Sequence, residues 1–192
     1  MYRPTIGILG HSYLRPYLPG GSHQDQNNYT NIVLNYHCAP GATFASVLNS
    51  GAFSDLVVSS PDLVIVVLGG NDLVYGGNTG SIYNNLLHLI ENIYNSCSPT
   101  FGVHILEPEK RLGNPDFVDP DSYRALRNSL VRKIKEKNQV SLLPLIKFGI
   151  NLDTLSSDGV HLDNFGCSLF ITVLKSHISD ILFNGELAPS EL

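Results

Sequence analysis

The sequence is poor in cysteine and in charged residues, and it has no long hydrophobic run. The longest apolar stretch, residues 63–68, is far shorter than the roughly 20 residues of a membrane span, so we expect no membrane span. The odd number and wide separation of the three cysteines exclude a disulfide framework and the ligand spacing of a zinc site: Cys38, Cys97 and Cys167.

The N-terminal residues show neither the basic segment nor the apolar leader of a secretory signal. We therefore expect no signal peptide in the chain as given. Unpaired cysteines persist in reducing compartments, so the sequence favours an intracellular location.

The composition is typical of a single globular domain. Apolar residues make up 43% of the 192 residues and charged residues 15%, which favours a buried core over disorder. We predict one domain over residues 1–185 and a loose tail over residues 186–192. The formal net charge of −5 argues against nucleic acid as the main ligand of this domain.

Strand-like segments alternate with helical patterns along the chain. Apolar residues recur at helical spacing over residues 82–94, 123–134 and 165–181. This alternation predicts an α/β fold with parallel strands and right-handed crossovers. The predicted strands, of which the first, third and fourth are nearly continuously apolar, cover residues 5–9, 32–38, 63–68, 101–106 and 140–143.

Two segments between these elements are predicted to be irregular, because they are rich in residues that break helices. They are residues 13–31 and 107–120. Asp119 or Asp121 offers an N-cap for the helix that follows the second segment, and Asp163 offers one for the last helix.

Four short motifs each come directly after an apolar segment. Loops that follow parallel strands gather at the carboxyl edge of the sheet, where ligands bind, so we expect the four motifs to meet there. Together they supply a nucleophile, a base, a carboxylate and oxyanion donors, the groups that acyl transfer needs. The motifs are Gly10-His11-Ser12, Pro40-Gly41-Ala42, Gly69-Gly70-Asn71-Asp72 and Asp158-Gly159-Val160-His161-Leu162.

Ser12 is the candidate nucleophile, His161 the candidate base and Asp158 the carboxylate that orients the histidine. A serine hydroxyl is a poor nucleophile until a base removes its proton, and histidine accepts and returns protons near neutral pH. Taken alone, Ser12 could be an ordinary loop serine and Asp158 a helix cap, although Asp163 is the better cap. Ser22 follows no apolar run and is a weaker candidate nucleophile.

The backbone N–H groups of Ser12 and Gly41 and the side-chain amide of Asn71 are the candidate oxyanion donors. Asparagine fills this role in known oxyanion holes, and a glycine lets the substrate come close to the backbone. The alternative interpretation is that Gly41 and Asn71 are plain turn residues.

Other enzyme classes lack support in this sequence. No Gly-x-Ser-x-Gly elbow surrounds Ser12, and no glycine-rich nucleotide loop follows the first strand. No ligand spacing links the remaining histidines, so we expect neither a metal nor another cofactor. These are His11, His23, His37, His88, His104 and His177.

On these four motifs, the sequence resembles the SGNH (GDSL-type) hydrolase superfamily of esterases and lipases. The family's serine, glycine, asparagine and histidine correspond to Ser12, Gly41, Asn71 and His161, with Asp158 as the acid. The resemblance implies a three-layer, flavodoxin-like α/β fold. Its five-stranded parallel sheet would have the order 2-1-3-4-5 with helices on both faces, and the reaction would be a two-step, metal-free acyl-enzyme mechanism.

The sequence departs from the family at His11, where the family usually has aspartate before the serine. That aspartate is not the acid of the triad, so we expect activity to survive. Because adjacent side chains on an extended segment point apart, we expect His11 not to compete for Ser12.

The opening Gly-His-Ser-Tyr-Leu-Arg, residues 10–15, is also similar to compact animal SGNH domains. These include the esterase domains of some LINE retrotransposon first-frame proteins. That resemblance would make the chain a fragment of a larger protein with RNA-associated partners.

The leading hypothesis is a serine esterase that hydrolyses small, acetyl-like esters, with deacetylation of a sugar or lipid as a related possibility. A second hypothesis is a non-catalytic or weakly active binding module that keeps the pocket. A third is nucleic-acid association, although a solvated helix face explains the same basic residues: Arg124, Arg127, Arg132, Lys133, Lys135 and Lys137.

Overall fold

A five-stranded parallel sheet forms the centre of the fold. The computed structural model of the chain describes residues 2–17, 31–75, 77–108, 119–145 and 161–184. The strand order is 2-1-3-4-5, which confirms the predicted fold class. The strands are β1 (Thr5–Gly10), β2 (Val33–Cys38), β3 (Leu63–Val67), β4 (Val103–Leu106) and β5 (Ser141–Leu143).

Five α-helices accompany the sheet in the described part of the chain, and they pack on both of its faces. Ile6, Ile8 and Ile65 belong to the core on the α5 face, whereas Leu9 and Val66 belong to the core shared with α1, α3 and α4. This alternation along the strands produces two hydrophobic layers, in which each fully buried aliphatic side chain contributes about 1.5–3 kcal/mol. The helices are α1 (Gly51–Ser59), α2 (Gly70–Tyr75), α3 (Thr79–Cys97), α4 (Pro120–Lys137) and α5 (Asn164–Ser179).

The predicted helix caps are present at the two helices that follow long connections. Asp119 accepts a hydrogen bond from Ser122 N at 2.8 Å and so begins α4, which decides between Asp119 and Asp121. Asp163 accepts from Gly166 N at 2.6 Å and begins α5. Each carboxylate satisfies a backbone donor that the helix itself cannot bond.

Besides the 3₁₀ helix Ser46–Asn49, three helical segments were not expected from the sequence. The first is α1, where glycine and two valines weaken the helical signal, and the second is α2, which is too short to show periodicity. The third is a 3₁₀ helix, Ser12–Tyr17, in a stretch expected to be irregular. The prediction for that stretch is therefore wrong at its start, because a short 3₁₀ helix requires no apolar repeat.

The last helical segment is more apolar than expected from the short apolar runs of the sequence. By length and composition alone, Asn164–Phe183 could cross a membrane, which makes it the one such helix among the described residues. Half of this window is buried inside the fold, where Phe170 and Leu174 pack against the sheet. Core packing therefore accounts for its hydropathy.

His104 in β4 is buried between two hydrogen-bond partners. Its Nε2 lies 3.0 Å from Phe101 O, which can only accept, so Nε2 carries the proton. Its Nδ1 then accepts from the Ser141 hydroxyl at 2.7 Å. Burial lowers the pKa of His104, although the Phe101 carbonyl opposes this effect.

We predict that His104 makes the fold sensitive to acid. Unfolding exposes a histidine that binds protons below about pH 6.5, whereas the folded form binds them only at lower pH, so stability falls as the pH drops. Between pH 7 and pH 5, the free energy of unfolding measured by urea denaturation should fall less in His104→Asn than in the wild type. The control is His88→Asn, on the exposed part of α3, and equal pH slopes in all three proteins would contradict the prediction.

Candidate active site

Ser12 lies at the carboxyl edge of the sheet, directly beyond the end of β1. A Cβ on Gly10 would lie 2.7 Å from Val67 O, so the close packing of β1 on β3 requires glycine there. The backbone N–H of His11 still donates to Val67 O, at 3.3 Å. The chain then turns into the 3₁₀ helix, in which Leu14 N donates to His11 O at 3.0 Å.

The structure brings His161 to Ser12 across 149 residues of sequence. The distance between His161 Nε2 and Ser12 Oγ is 3.0 Å. At this separation the hydroxyl can donate its proton to an unprotonated Nε2, which is the geometry of a nucleophile and its general base. The N-cap at Asp163 fixes the start of α5 and with it the position of His161 just before the helix.

Asp158, the predicted orienting carboxylate, lies outside the described residues. Its role toward His161 therefore stays a prediction. The same applies to Ser22, the weaker candidate nucleophile.

Gly41 lies in the turn that follows β2. Its φ is +75°, a conformation that glycine adopts at little cost. A Cβ at this position would meet nothing within 4 Å, so the space beside the backbone is open. Ala39 N donates to Gly10 O at 2.8 Å, which ties this turn to the end of β1.

Asn71 is buried in the first turn of α2, rather than in a loop after β3 as the sequence suggested. Its Nδ2 donates to Ala42 O at 3.0 Å, so the amide lies against the turn that contains Gly41. The structure thus brings Asn71 to the turn of Gly41; these two residues were expected to provide oxyanion donors in addition to Ser12.

Asp72 is a site residue to which sequence reasoning gave no role. It is 1% exposed, and both of its carboxylate oxygens lie 3.1 Å from the backbone nitrogen of Phe44. Asn71 and Asp72 therefore hold two points of the same loop, at Ala42 and Phe44. The only signal in the sequence was an aspartate beside the candidate oxyanion residue.

His11, the residue before the candidate nucleophile, contacts Tyr13, and the expectation that it does not compete for Ser12 stays a prediction. It is fully buried, and its Nδ1 accepts from Tyr13 N at 3.4 Å. The His11 and Tyr13 rings meet edge to face with centroids 5.0 Å apart, and Tyr13 in turn meets Phe170 of α5. His11 thus packs against the turn at Ser12 and, through Tyr13, connects this turn to α5, the helix that follows His161.

A cavity of about 380 Å³ opens beside the serine and histidine. Gly41 and Asn71, two of the three predicted oxyanion donors, are not among its described lining residues. The cavity is lined by Ser12, Tyr13, Arg15, Pro16, His161, Leu162 and Cys167. Within the described ranges, no cluster of three or more histidine, cysteine, aspartate or glutamate side chains could hold a metal ion.

Five of the six basic residues of α4 have local partners among the described residues, and the nucleic-acid hypothesis stays a prediction. Arg127 is buried, and its Nε donates to Pro108 O at 2.7 Å. Lys133 lies over the Tyr83 ring, 5.2 Å from its centroid. The ion pairs of this helix are Arg124–Asp121, Arg127–Glu107, Arg132–Glu136 and Lys135–Glu107.

Comparison with known proteins identifies a family for the sequence and a fold shared with solved structures. The sequence model of the GDSL-like Lipase/Acylhydrolase family matches residues 12–167. The search of curated proteins finds no significant match.

Several solved structures share the fold at low identity. A GDSL-like lipase from Bacteroides thetaiotaomicron is 18% identical with a TM-score of 0.68, and the match covers 93% of this chain and 89% of that one. The psychrotrophic esterase EstA from Pseudoalteromonas sp. is 19% identical with a TM-score of 0.65, covering 93% and 98%. The acetyl xylan esterase AlAXEase is 15% identical with a TM-score of 0.67, covering 91% and 99%.

These comparisons do not test the finer resemblance to LINE retrotransposon esterase domains. That resemblance and the RNA-associated partners it implies therefore stay predictions.

We predict that Asp72 stabilises the fold through the loop it holds. Asp72→Ala leaves the buried N–H of Phe44 without its acceptor, which should lower the free energy of unfolding by about 1–3 kcal/mol. Chemical denaturation monitored by circular dichroism measures this. The matched control is Asp121→Ala, whose ion pair with Arg124 is exposed and should contribute no more than about 0.5 kcal/mol. Equal losses in the two variants would contradict a specific role for Asp72.

Proposed function

Because the chain belongs to the GDSL-like lipase/acylhydrolase family and is thus a carboxylic ester hydrolase, we propose that it cleaves small, acetyl-like esters with Ser12 as the nucleophile. The observation that supports this most directly is the 3.0 Å distance from Ser12 Oγ to His161 Nε2 at the edge of a cavity.

The reaction begins when Ser12 Oγ attacks the ester carbonyl carbon and transfers its proton to His161 Nε2. The tetrahedral intermediate collapses, His161 gives the proton to the departing alcohol, and an acyl-serine remains. Water then attacks the acyl-serine with His161 again as the base, releasing the acid and restoring the serine.

Asp158 completes the proposed triad by accepting from Nδ1 of His161. This bond would keep Nε2 unprotonated and directed at Ser12, and it would stabilise the imidazolium that forms during attack. The support for this role is the Asp-x-x-His spacing of Asp158 and His161 in the sequence.

The proposed oxyanion hole consists of the Ser12 N–H, the Gly41 N–H and the Asn71 amide. In the described part of the chain, neither of the two backbone N–H groups donates to another backbone carbonyl. Asn71 contacts Ala42, the residue after Gly41, so these two donors lie together. Donors fixed before the reaction stabilise the developing negative charge without reorganisation.

The size of the cavity supports a small substrate. A volume of about 380 Å³ is near the lower end of the range for small-molecule sites, about 300–1,000 Å³. An acetyl xylan esterase is also among the proteins of similar fold. The volume bears on the portion of the ester that lies beside Ser12 and His161, and the acetyl xylan esterase leads us to propose acetyl esters in preference to long acyl chains.

The first test concerns the triad. In hydrolysis of p-nitrophenyl acetate, Ser12→Ala and His161→Ala should each lose nearly all turnover, because neither attack nor proton transfer can proceed. Asp158→Asn should be less severe, and p-nitrophenyl octanoate should be a poorer substrate than the acetate for the wild type. Ser22→Ala is the matched control and should retain full activity; equal rates in all these variants would place the reaction at another site.

The second test concerns Asn71. Asn71→Ala should lower kcat by roughly 100- to 1,000-fold with little change in KM, because the oxyanion exists only in the transition state. Steady-state kinetics on p-nitrophenyl acetate separate the two constants. A variant that raises KM and leaves kcat unchanged would show that Asn71 binds the ground state instead. Circular dichroism checks that the variant keeps its fold.

A further inference from the structure

Arg15 shares a cavity and a helix face with Ser12. The 3₁₀ helix Ser12–Tyr17 has three residues per turn, so the side chains at positions 12 and 15 project from the same face, about 6 Å apart along the axis. Both residues line the cavity beside His161. The guanidinium is thus carried one turn beyond the nucleophile, on the side where a substrate enters.

Arg15 is the one permanently charged residue among the described residues that line this cavity. Its side chain makes no hydrogen bond or ion pair with any described residue, in contrast to Arg124, Arg127 and Arg132 of α4. The charge of Arg15 also acts on Cys38, at the end of β2. Burial raises the pKa of the Cys38 thiol, and the positive charge of Arg15 opposes that rise.

The charge of the whole chain makes this local cation more informative. With a formal net charge of −5, the protein as a whole repels anions. Among the described residues that line the cavity, Arg15 supplies a positive charge and no side chain is acidic, so these residues favour an anionic group. Arginine also presents a planar fork of donors that matches the two oxygens of a carboxylate or phosphate.

The position of His161 indicates which part of the substrate meets Arg15. In the proposed reaction, His161 Nε2 gives its proton to the departing alcohol, so the alcohol oxygen must lie within hydrogen-bond reach of this atom. His161 and Leu162 line the cavity, whereas Gly41 and Asn71, the proposed oxyanion donors, do not. The alcohol portion therefore occupies the cavity and extends toward Arg15.

Building on the proposed function, we infer that this hydrolase selects esters whose alcohol portion carries a carboxylate or phosphate, and that Arg15 binds this anionic group. Arg15 is on this account a specificity-determining residue that takes no part in the chemistry. Its contribution is a charge-assisted contact to a group remote from the ester bond.

The test compares two acetyl esters that differ in charge alone at one position. 4-Acetoxybenzoate carries a carboxylate on its alcohol portion, and 4-acetoxybenzamide is its neutral analogue of similar shape. The wild type should favour the anionic ester in kcat/KM by about 10- to 100-fold, the range expected for a hydrogen-bonded charge. A third ester, 4-acetoxyphenyl phosphate, distinguishes a phosphate preference from a carboxylate preference.

The ratio of kcat/KM between the anionic and neutral esters is the readout for the variants. Arg15→Gln should bring this ratio close to one, and Arg15→Lys should keep part of the preference because it keeps the charge without the fork. Arg124→Gln, an exposed arginine on α4, is the matched control and should keep the wild-type ratio. Raising the salt concentration from 0.05 M to 0.5 M should lower the wild-type ratio through screening.

Two different results would overturn the inference. A wild-type protein that hydrolyses both esters with a ratio near one, unchanged in Arg15→Gln, would show an esterase in which Arg15 is a solvated surface residue. A protein that hydrolyses neither these esters nor p-nitrophenyl acetate would overturn the proposed function, and the selectivity with it.

Discussion

The register of β1 with both of its neighbours is the constraint on which the candidate site depends. Gly10 pairs with Cys38 of β2 on one side and with Val67 of β3 on the other. Three strands therefore end at the same level, and the turns that follow them begin side by side. A shift by one residue would send the alternating side chains of β1 to opposite faces and would separate the turns.

Hydrogen bonds between the turns then fix what the register has brought together. Ala39 N donates to Gly10 O, and the Asn71 amide donates to Ala42 O. The Asp72 carboxylate holds Phe44 N of the same loop. The loop after β2 is thus bonded to the end of β1 and to the first turn of α2, so its backbone is fixed before any substrate arrives. Fixed donors of this kind are what electrostatic stabilisation of a transition state requires.

The sequence was sufficient to predict the parallel sheet, its carboxyl edge and the approach of His161 to Ser12, because apolar runs and caps are local signals. It was insufficient for interactions whose partners are distant in sequence or belong to the backbone. The role of Asp72 depends on an N–H that lies 28 residues earlier. Arg127 resembled the other cations of α4, but it is buried and donates to Pro108 O. Neither partner leaves a pattern in the residues themselves.

The helix α2 illustrates a second limit of prediction from sequence. Two glycines and an asparagine after a strand favour a turn, and a helix of six residues has too few apolar positions to reveal itself. It is the tertiary contacts of Asn71 and Asp72 with the neighbouring loop that hold this helix in place. Tertiary packing therefore overrides the local preference for a turn in this segment, which contains Asn71, a residue of the proposed oxyanion hole.

The proposed nucleophile belongs to the first strand-to-helix turn of the chain, and its proposed base belongs to the segment that enters the last α-helix. During synthesis on the ribosome, the serine therefore emerges long before the histidine that would activate it. A nascent or truncated chain that ends before His161 presents Ser12 without its proposed base, and it also lacks α5 and the apolar layer that this helix places on one face of the sheet. On the proposed mechanism, the base and the last layer of the core are therefore synthesised together, so an incomplete chain would not act on esters before it has folded.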